Sequence, residues 1–447
     1  MIKKKNNQKR LFEVELKELI DLEHPLCVIT ETIDWVSIEE KFYPLYSYFK
    51  GRPAKEVRLM VGLQYLKATY QESDESVVEK WVENPYWQYF CGEKYFQTKC
   101  PINPTMMTKF RNRAKRENIE ELLIELIKSG LKLKIIKEKS LEKINVDTTV
   151  QEKNITYPTD AKLYYKMIMK LVKSAKENEI KLRQSYIRKA KTSLLMQGRY
   201  SHARQMKRSQ KEIRKLKTYL GRIYRDVERK KVMSADLMYL VLENNMRIAE
   251  RLLKQKREDK DKLYSLHEPH VYCISKGKAH KKYEFGNKSS FAVTMKENFV
   301  TGCYSLEKNI YDGHTLKEQI IQVERLSKIK VKELNVDLGY RGHNYEGEAK
   351  VNIVGRQKIK DRKLRKTFRR RSAIEPIIGH MKRDGHLGRN YLKGIHGDLV
   401  NTVMAGCGQN IRKMIGFIRK KTKEKICLIF SFFNFVINQR KLCFFQE

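Results

Sequence analysis

The 447-residue chain is poor in the residues that break or staple a fold, with only 9 prolines, 22 glycines and 3 tryptophans. Its eight cysteines (Cys27, Cys91, Cys100, Cys273, Cys303, Cys407, Cys427, Cys443) contain no C-x2-C pair, which argues against a zinc ribbon or finger. They read as small apolar side chains in a reducing compartment. No G-x4-G-K-[ST] loop occurs, so nothing supports nucleotide hydrolysis. The longest apolar run, Ile426 to Ile437, is interrupted by Ser431 and Asn434. As a helix it would reach about 18 Å against a bilayer core of about 30 Å. The basic start (Lys3, Lys4, Lys5, Lys9, Arg10) is followed by Glu13, Glu15 and Glu18, unlike a signal peptide. The expectation is a cytoplasmic protein with no membrane span.

Acidic residues are also scarce. The chain has 53 Asp and Glu against 94 Lys and Arg, a formal charge of +41. Hydrophobic residues make up 41% of it, so it is a folding chain and not a basic tail. A compact chain so charged repels itself unless a polyanion shares the field, and nucleic acid is the default partner. The excess is uneven. Residues 1–160 hold 27 basic and 25 acidic side chains, whereas 161–260 hold 29 and 10, and 351–390 hold 13 and 3.

Residues 11–130 read as mostly helical, with one helix expected at Ala54–Tyr70 and a second at Glu75–Val82. Such a pair is either a helix-turn-helix that reads DNA or a packing unit, and the near-neutral charge of this region weakens the first reading. At Ile144–Val150 the pattern turns to period two with β-branched residues, a strand. Between Pro158 and Pro269 lies a proline-free basic stretch. There Ile213, Leu216, Leu220, Ile223 and Val227 form a coiled-coil-like seam. We read it as a helical hairpin packed on a second helix through Leu237, Leu240, Val241, Met246 and Leu252. Strands are expected again at Val271–Ser275, Phe291–Lys296, Phe299–Ser305, Glu333–Asp337 and Val351–Val354, with helices at Gly313–Leu326 and Ser372–Arg383. Alternation of this kind is an α/β core.

Two strands repeat one phrase, Asn145-Val146-Asp147 and Asn335-Val336-Asp337. Asp residues on neighbouring strand ends supply the hard oxygens a divalent ion needs, although each alone is more simply a turn residue. Gly339, just after Asp337, can turn the chain away. A third carboxylate, Glu375, sits where Ile374, Ile377, Ile378 and Met381 mark an apolar helix face. Glu375, Gly379, Lys382 and His386 line the adjacent face. Ser372-x-x-Glu375 is also a capping-box pattern. Asp160 and Asp312 read as helix N-caps, and His343 and His380 as minor candidates.

Asp147, Asp337 and Glu375 resemble the triad of insertion-sequence DDE transposases. Arg371, Glu375 and Lys382 fit the Tyr-x2-Arg-x3-Glu-x6-Lys signature of the families four and five group, with Phe368 in the Tyr position. Tyr157-Pro158-Thr159-Asp160, Asp337-Leu338-Gly339-Tyr340 and Gly397-Asp398-Leu399-Val400-Asn401 resemble the same group. So do Gly51-Arg52-Pro53 and Phe110-Arg111-Asn112-Arg113 in the helical N-terminal part. The resemblance implies an RNase-H-like α/β catalytic core over 140–420, interrupted by a basic helical insertion at 161–265. A helical N-terminal domain (1–135) precedes it, and a variable tail (421–447) without counterpart in the pattern follows. It further implies two Mg²⁺ ions, or Mn²⁺, on Asp147, Asp337 and Glu375. Arg371 and Lys382 would contact DNA phosphates, as a fork and a point charge. The partners implied are double-stranded DNA, both terminal inverted repeats and target, engaged by a homodimer. The rivals are a non-enzymatic basic nucleic-acid-binding protein and a decayed or domesticated transposase that only cuts.

Overall fold

The computed structural model describes residues 14–47, 53–231, 236–256, 258–275, 277, 281–355, 365 and 368–444, with side chains through residue 427. Two units form. One comprises residues 1–151, 288–306 and 310–447, and the other residues 152–287 and 307–309. The Gly51-Arg52 pair and the side chains of most of the apolar run lie outside the described residues. No helix among those described is long and apolar enough to cross a membrane.

The first unit is built on a mixed sheet. Its strands are β1 (Lys143–Glu152), the later part of β3 (Glu284–Thr294), β4 (Val300–Ser305), β5 (Glu333–Val336) and β6 (Lys350–Ile353). The order is β4-β3-β1-β5-β6. β4 runs antiparallel to β3, whereas β1, β5 and β6 are parallel neighbours. β1 begins beside the end of β3, where the Met295 amide donates to the Lys143 carbonyl. The crossover between β4 and β5 is the helix Leu316–Ser327. Its Leu316, Ile320 and Val323 are buried against Ile144, Val146, Leu334 and Val336 on one sheet face.

On the other face Phe291, Val293, Val300 and Cys303 join a larger core with the N-terminal helices and the helices Ile374–Arg383 and Gly394–Phe444. The expected helix pair forms at Val57–Tyr70 and Asp74–Glu83. Val57–Tyr70 is buried nearly all round, from Leu59 to Thr69. That is the mark of a central helix and not of one free to lie in a groove. The outer side of its neighbour presents Glu75, Glu79 and Glu83.

The second unit is a helical bundle made of Asp160–Glu177, Ile187–His202, Met206–Lys230 and Leu237–Lys254, with the short strand β2 (Tyr272–Ile274) paired antiparallel to the first residues of β3. Leu216, Leu220, Ile223 and Val227 are buried as the seam predicts, and Ile213 packs at its edge. The fourth helix departs from expectation. Leu242, Met246, Ala249 and Leu252 face the core, while Leu237, Leu240 and Val241 are exposed. In its first turn the buried side chain is Tyr239, and Asn178 Nδ2 donates to the Met238 carbonyl at 3.2 Å.

On the long basic helix the opposite side is cationic. Lys207, Lys211, Arg214, Arg222 and Arg225 are all exposed and recur at i, i+4, i+7, i+15 and i+18. The stripe runs for about 27 Å. The acidic residues Glu212 and Asp226 are turned inward and engaged by Lys215 and Lys230. None of Lys207, Lys211, Arg214 and Arg225 pairs with a carboxylate among the described residues.

Candidate active site

Asp147 and Asp337 become neighbours through strand register. β1 and β5 pair in parallel with Ile144 opposite Leu334 and Asn145 opposite Asn335, so each Asp stands two residues beyond a matched Asn. Asp337 follows the last residue of β5 as expected. Asp147 does not end its strand, because β1 continues to Glu152. It lies where the parallel neighbour stops, which opens its side chain to one side. Each Asp spends one oxygen on its own backbone. The Thr148 amide donates to Asp147 Oδ1 at 2.8 Å, and the Gly339 amide to Asp337 Oδ1 at 3.0 Å. Gly339 has no left-handed backbone; Gly342, with φ 72°, does. What Gly339 contributes is the donor and the absence of a Cβ beside Asp337 Oδ1.

The third carboxylate reaches the strands through a buried amide relay. Asn335 Nδ2 donates to Asn145 Oδ1 at 3.1 Å, and Asn352 Nδ2 donates to Asn335 Oδ1 at 3.2 Å. These three residues lie on β1, β5 and β6. Asn145 Nδ2 in turn donates to the Arg370 carbonyl at 3.0 Å, which pins the 3₁₀ turn Arg370–Ala373 to β1. The helix Ile374–Arg383 follows, with Ile374, Ile377, Ile378 and Met381 buried on the expected face. The capping box does not form. Ser372 Oγ donates to the Arg369 carbonyl, and Glu375 is held by Arg371.

Arg371 joins everything. Its Nη2 lies 3.1 Å from Asp147 Oδ2 and 3.4 Å from Asp337 Oδ2, and its Nη1 lies 2.7 Å from Glu375 Oε1. One guanidinium therefore bridges both strand carboxylates and the helix carboxylate, and only 12% of the side chain is exposed. Its buried Nε has no hydrogen-bond partner among the described residues. Three carboxylates against one guanidinium leave two formal negative charges at this point, and hard anionic oxygens are the ligands Mg²⁺ and Mn²⁺ take. The donors fit a divalent ion. They do not close round one as they stand, since no three Asp, Glu, His or Cys side chains among the described residues meet at a metal-sized point.

The surroundings separate structural from chemical groups. Tyr340 is fully buried, and burial, reinforced by the fields of Asp147, Asp312 and Asp337, holds its phenol well above its ordinary pKa. It stays neutral beside the carboxylates. Asp312 does not cap a helix; it pairs with Lys288 at 2.9 Å. At Asp160 the cap is the preceding residue, Thr159, which accepts from the Lys162 amide. His343 Nδ1 accepts from the Tyr345 amide, and His380 pairs with Asp384 at 2.8 Å. Lys382 lies two turns along the helix from Glu375. His386 does not share that face, because the helix ends at Arg383 and the ring meets the Glu72 carbonyl at 2.7 Å.

Sequence reading passed over Gln151, which stands four residues beyond Asp147. Its side chain meets Thr402 Oγ1 at 2.9 Å, the Asp398 carbonyl at 3.2 Å and the amides of Asn390 and Asn401. The Gly397-to-Asn401 phrase thus braces the strand that carries Asp147. The signal was present in that phrase, and in the two Asn residues of the repeated Asn-Val-Asp, but nothing in one dimension says what they touch.

Similarity to known proteins defines the class. Residues 14–113 match a transposase domain (DUF772), and residues 330–415 match a transposase DDE domain. Asp337, Arg371, Glu375 and Lys382 lie inside the second match, whereas Asp147 lies outside both. The chain belongs to the transposases that carry a DDE domain. It is also 46% identical over 195 residues to an uncharacterized protein, ORF8 in the nfe locus of Rhizobium meliloti, an alignment covering 44% of this chain and 94% of that protein. No solved structure matches the chain.

Proposed function

We propose that this transposase nicks DNA at the ends of an insertion sequence and transfers the freed strand into target DNA. The observation that carries the reading is the convergence of Asp147, Asp337 and Glu375, from two adjacent parallel strands and the following helix, on one cation. The strand order β4-β3-β1-β5-β6, with an antiparallel start and parallel β1, β5 and β6, supports an RNase-H-like core. That core takes in 140–420, with 161–265 as the inserted basic bundle, 1–135 as the helical N-terminal domain and 421–447 as a tail.

Two divalent ions, Mg²⁺ or Mn²⁺, held by the three carboxylates would supply Lewis acidity to the attacking and leaving oxygens of an in-line displacement. The reaction breaks a P–O3′ bond with water, leaving a 3′-hydroxyl and a 5′-phosphate. That hydroxyl then attacks a target phosphate and displaces the target's own 3′-oxygen. The chain's residues position the DNA. Lys382 offers a point charge to a phosphate two helical turns from Glu375. Arg371 offers a fork matched to two phosphate oxygens. The cationic stripe of Met206–Lys230 gives a straight run of charge suited to a duplex backbone. An element has two ends and each chain one carboxylate cluster, so a homodimer on DNA is the smallest assembly that handles both. The protein would act in the cytoplasm.

The test uses purified protein with labelled end-sequence DNA. Wild type should cleave only with Mg²⁺ or Mn²⁺ and then join the labelled strand to target. Asp147→Asn should lower cleavage by about three orders of magnitude, the scale on which one preorganised electrostatic group acts. Mg²⁺-dependent cleavage that survives this change would overturn the assignment. Salt-sensitive binding without any cleavage by wild type would favour a binding protein.

A further inference from the structure

We infer that Arg371 is the built-in counter-ion of the three carboxylates, holding them ready and competing with the divalent ions for them. The inference rests on the reading of Asp147, Asp337 and Glu375 as the metal site. It goes beyond the phosphate contact proposed for this residue, because it concerns the protein before any DNA is bound.

The oxygens are the first argument. Asp147 and Asp337 each give Oδ1 to a local backbone amide and Oδ2 to Arg371. The guanidinium therefore occupies an oxygen of each aspartate that an ion would also need. The second argument is rigidity. Asp147 is mid-strand, and the Arg370 carbonyl is tied to Asn145, so the backbone on both sides is fixed. Removal of the guanidinium leaves the aspartates where they are, and only a side chain must move for an ion to enter. The third is charge. Without Arg371 the three carboxylates would lose the guanidinium that lies among them, and like-charge repulsion is strong in a partly buried site. Glu375 is bonded to Arg371 across one turn, so release of the arginine also frees Glu375 to close on the ion. The displaced fork is then available to a phosphate, which orders the two events: ion first, then DNA.

The test needs neither DNA nor activity. Mn²⁺ binding to the full-length protein is measured by calorimetry and by loss of the free-ion electron paramagnetic resonance signal, with melting followed in chelator and in Mn²⁺. Removing one competing charge from the cluster should tighten Mn²⁺ binding in Arg371→Gln by about tenfold in Kd. The same variant should melt at a lower temperature in chelator and gain more from Mn²⁺ than wild type does. Arg371→Lys keeps the charge but cannot bridge three carboxylates, so its Kd should fall between the two. If Arg371→Gln does not fold, Arg371→Lys alone decides, and a Kd equal to or weaker than wild type overturns the inference. Equal or weaker binding by folded Arg371→Gln overturns it as well, since a residue that only contacts phosphate leaves metal affinity unchanged. Asp147→Asn separates the two layers. If that variant binds Mn²⁺ as tightly as wild type, or wild type binds none saturably, the metal-site reading fails and takes this one with it.

Discussion

At the residue scale, short polar side chains decide where the carboxylates stand. Asn145 accepts from Asn335 and donates to the Arg370 carbonyl, so a single amide ties two strands to the turn before Glu375. Asn145 and Asn335 are fully buried, with no water to replace a lost partner. Asn145→Ala should cost about 1–3 kcal/mol in urea unfolding, the penalty for stranding a buried partner. It should also reduce the proposed end cleavage, although Asn145 is fully buried. Full cleavage by a destabilised Asn145→Ala would show that the amide relay serves the fold and not the placement of Glu375. The same scale explains why the capping-box reading of Ser372 and Glu375 fails. A guanidinium four residues back offers Glu375 a charged partner, which outweighs a backbone amide in the first turn.

At the element scale, close approach governs the helices. The helix Gly394–Phe444 passes Val57–Tyr70 so tightly at Gly408 that a Cβ there would run into the Ala68 carbonyl, which cannot move aside. Gly416, two turns further on, has open space around its Cα. An alanine in a helix gains about 1 kcal/mol over glycine by propensity. Gly416→Ala should therefore raise the melting temperature slightly. Gly408→Ala should lower it, losing about 1–3 kcal/mol to overpacking against a fixed backbone. Equal effects at both positions would contradict the packing. The helix pair Val57–Tyr70 and Asp74–Glu83 belongs to this scale too. Its boundaries follow from apolar spacing and from Ser73, whose hydroxyl caps the second helix. Its role follows from burial, for the first helix is enclosed and the second turns Glu75, Glu79 and Glu83 outward, a face that repels phosphate.

At the scale of the whole molecule the +41 charge is localised. The N-terminal 160 residues are close to neutral, and the long helix of the basic bundle turns Lys207, Lys211, Arg214, Arg222 and Arg225 to one side while its other side is core. Counter-ion release makes the slope of log affinity against log salt a count of phosphate contacts. Changing Lys207, Lys211, Arg214 and Arg225 together to Gln should flatten that slope by about 3–4. Four equivalent neutralisations within 53–113 should leave it nearly unchanged. A smaller effect in the bundle than in the N-terminal part would move the main DNA contact to the transposase domain at 14–113.

By itself the sequence determined most local structure, because hydrophobic period, turn chemistry and caps act over a few residues. The strands at 143–152, 300–305, 333–336 and 350–353 and the helices at 57–70 and 374–383 lie within a few residues of where spacing puts them, and the seam from Ile213 to Val227 falls inside the helix Met206–Lys230. It also singled out Asp147, Asp337 and Glu375, since the repeated Asn-Val-Asp and the Arg-Glu-Lys spacing are visible in one dimension. Only the tertiary structure decided what these residues meet. Strand register sets the two aspartates level, the asparagine relay fixes the turn before Glu375, and Arg371 sits among all three. It also decided which side of the fourth bundle helix is core and left Leu237, Leu240 and Val241 exposed. Those outcomes depend on contacts between residues as many as 225 positions apart, and no periodicity encodes them.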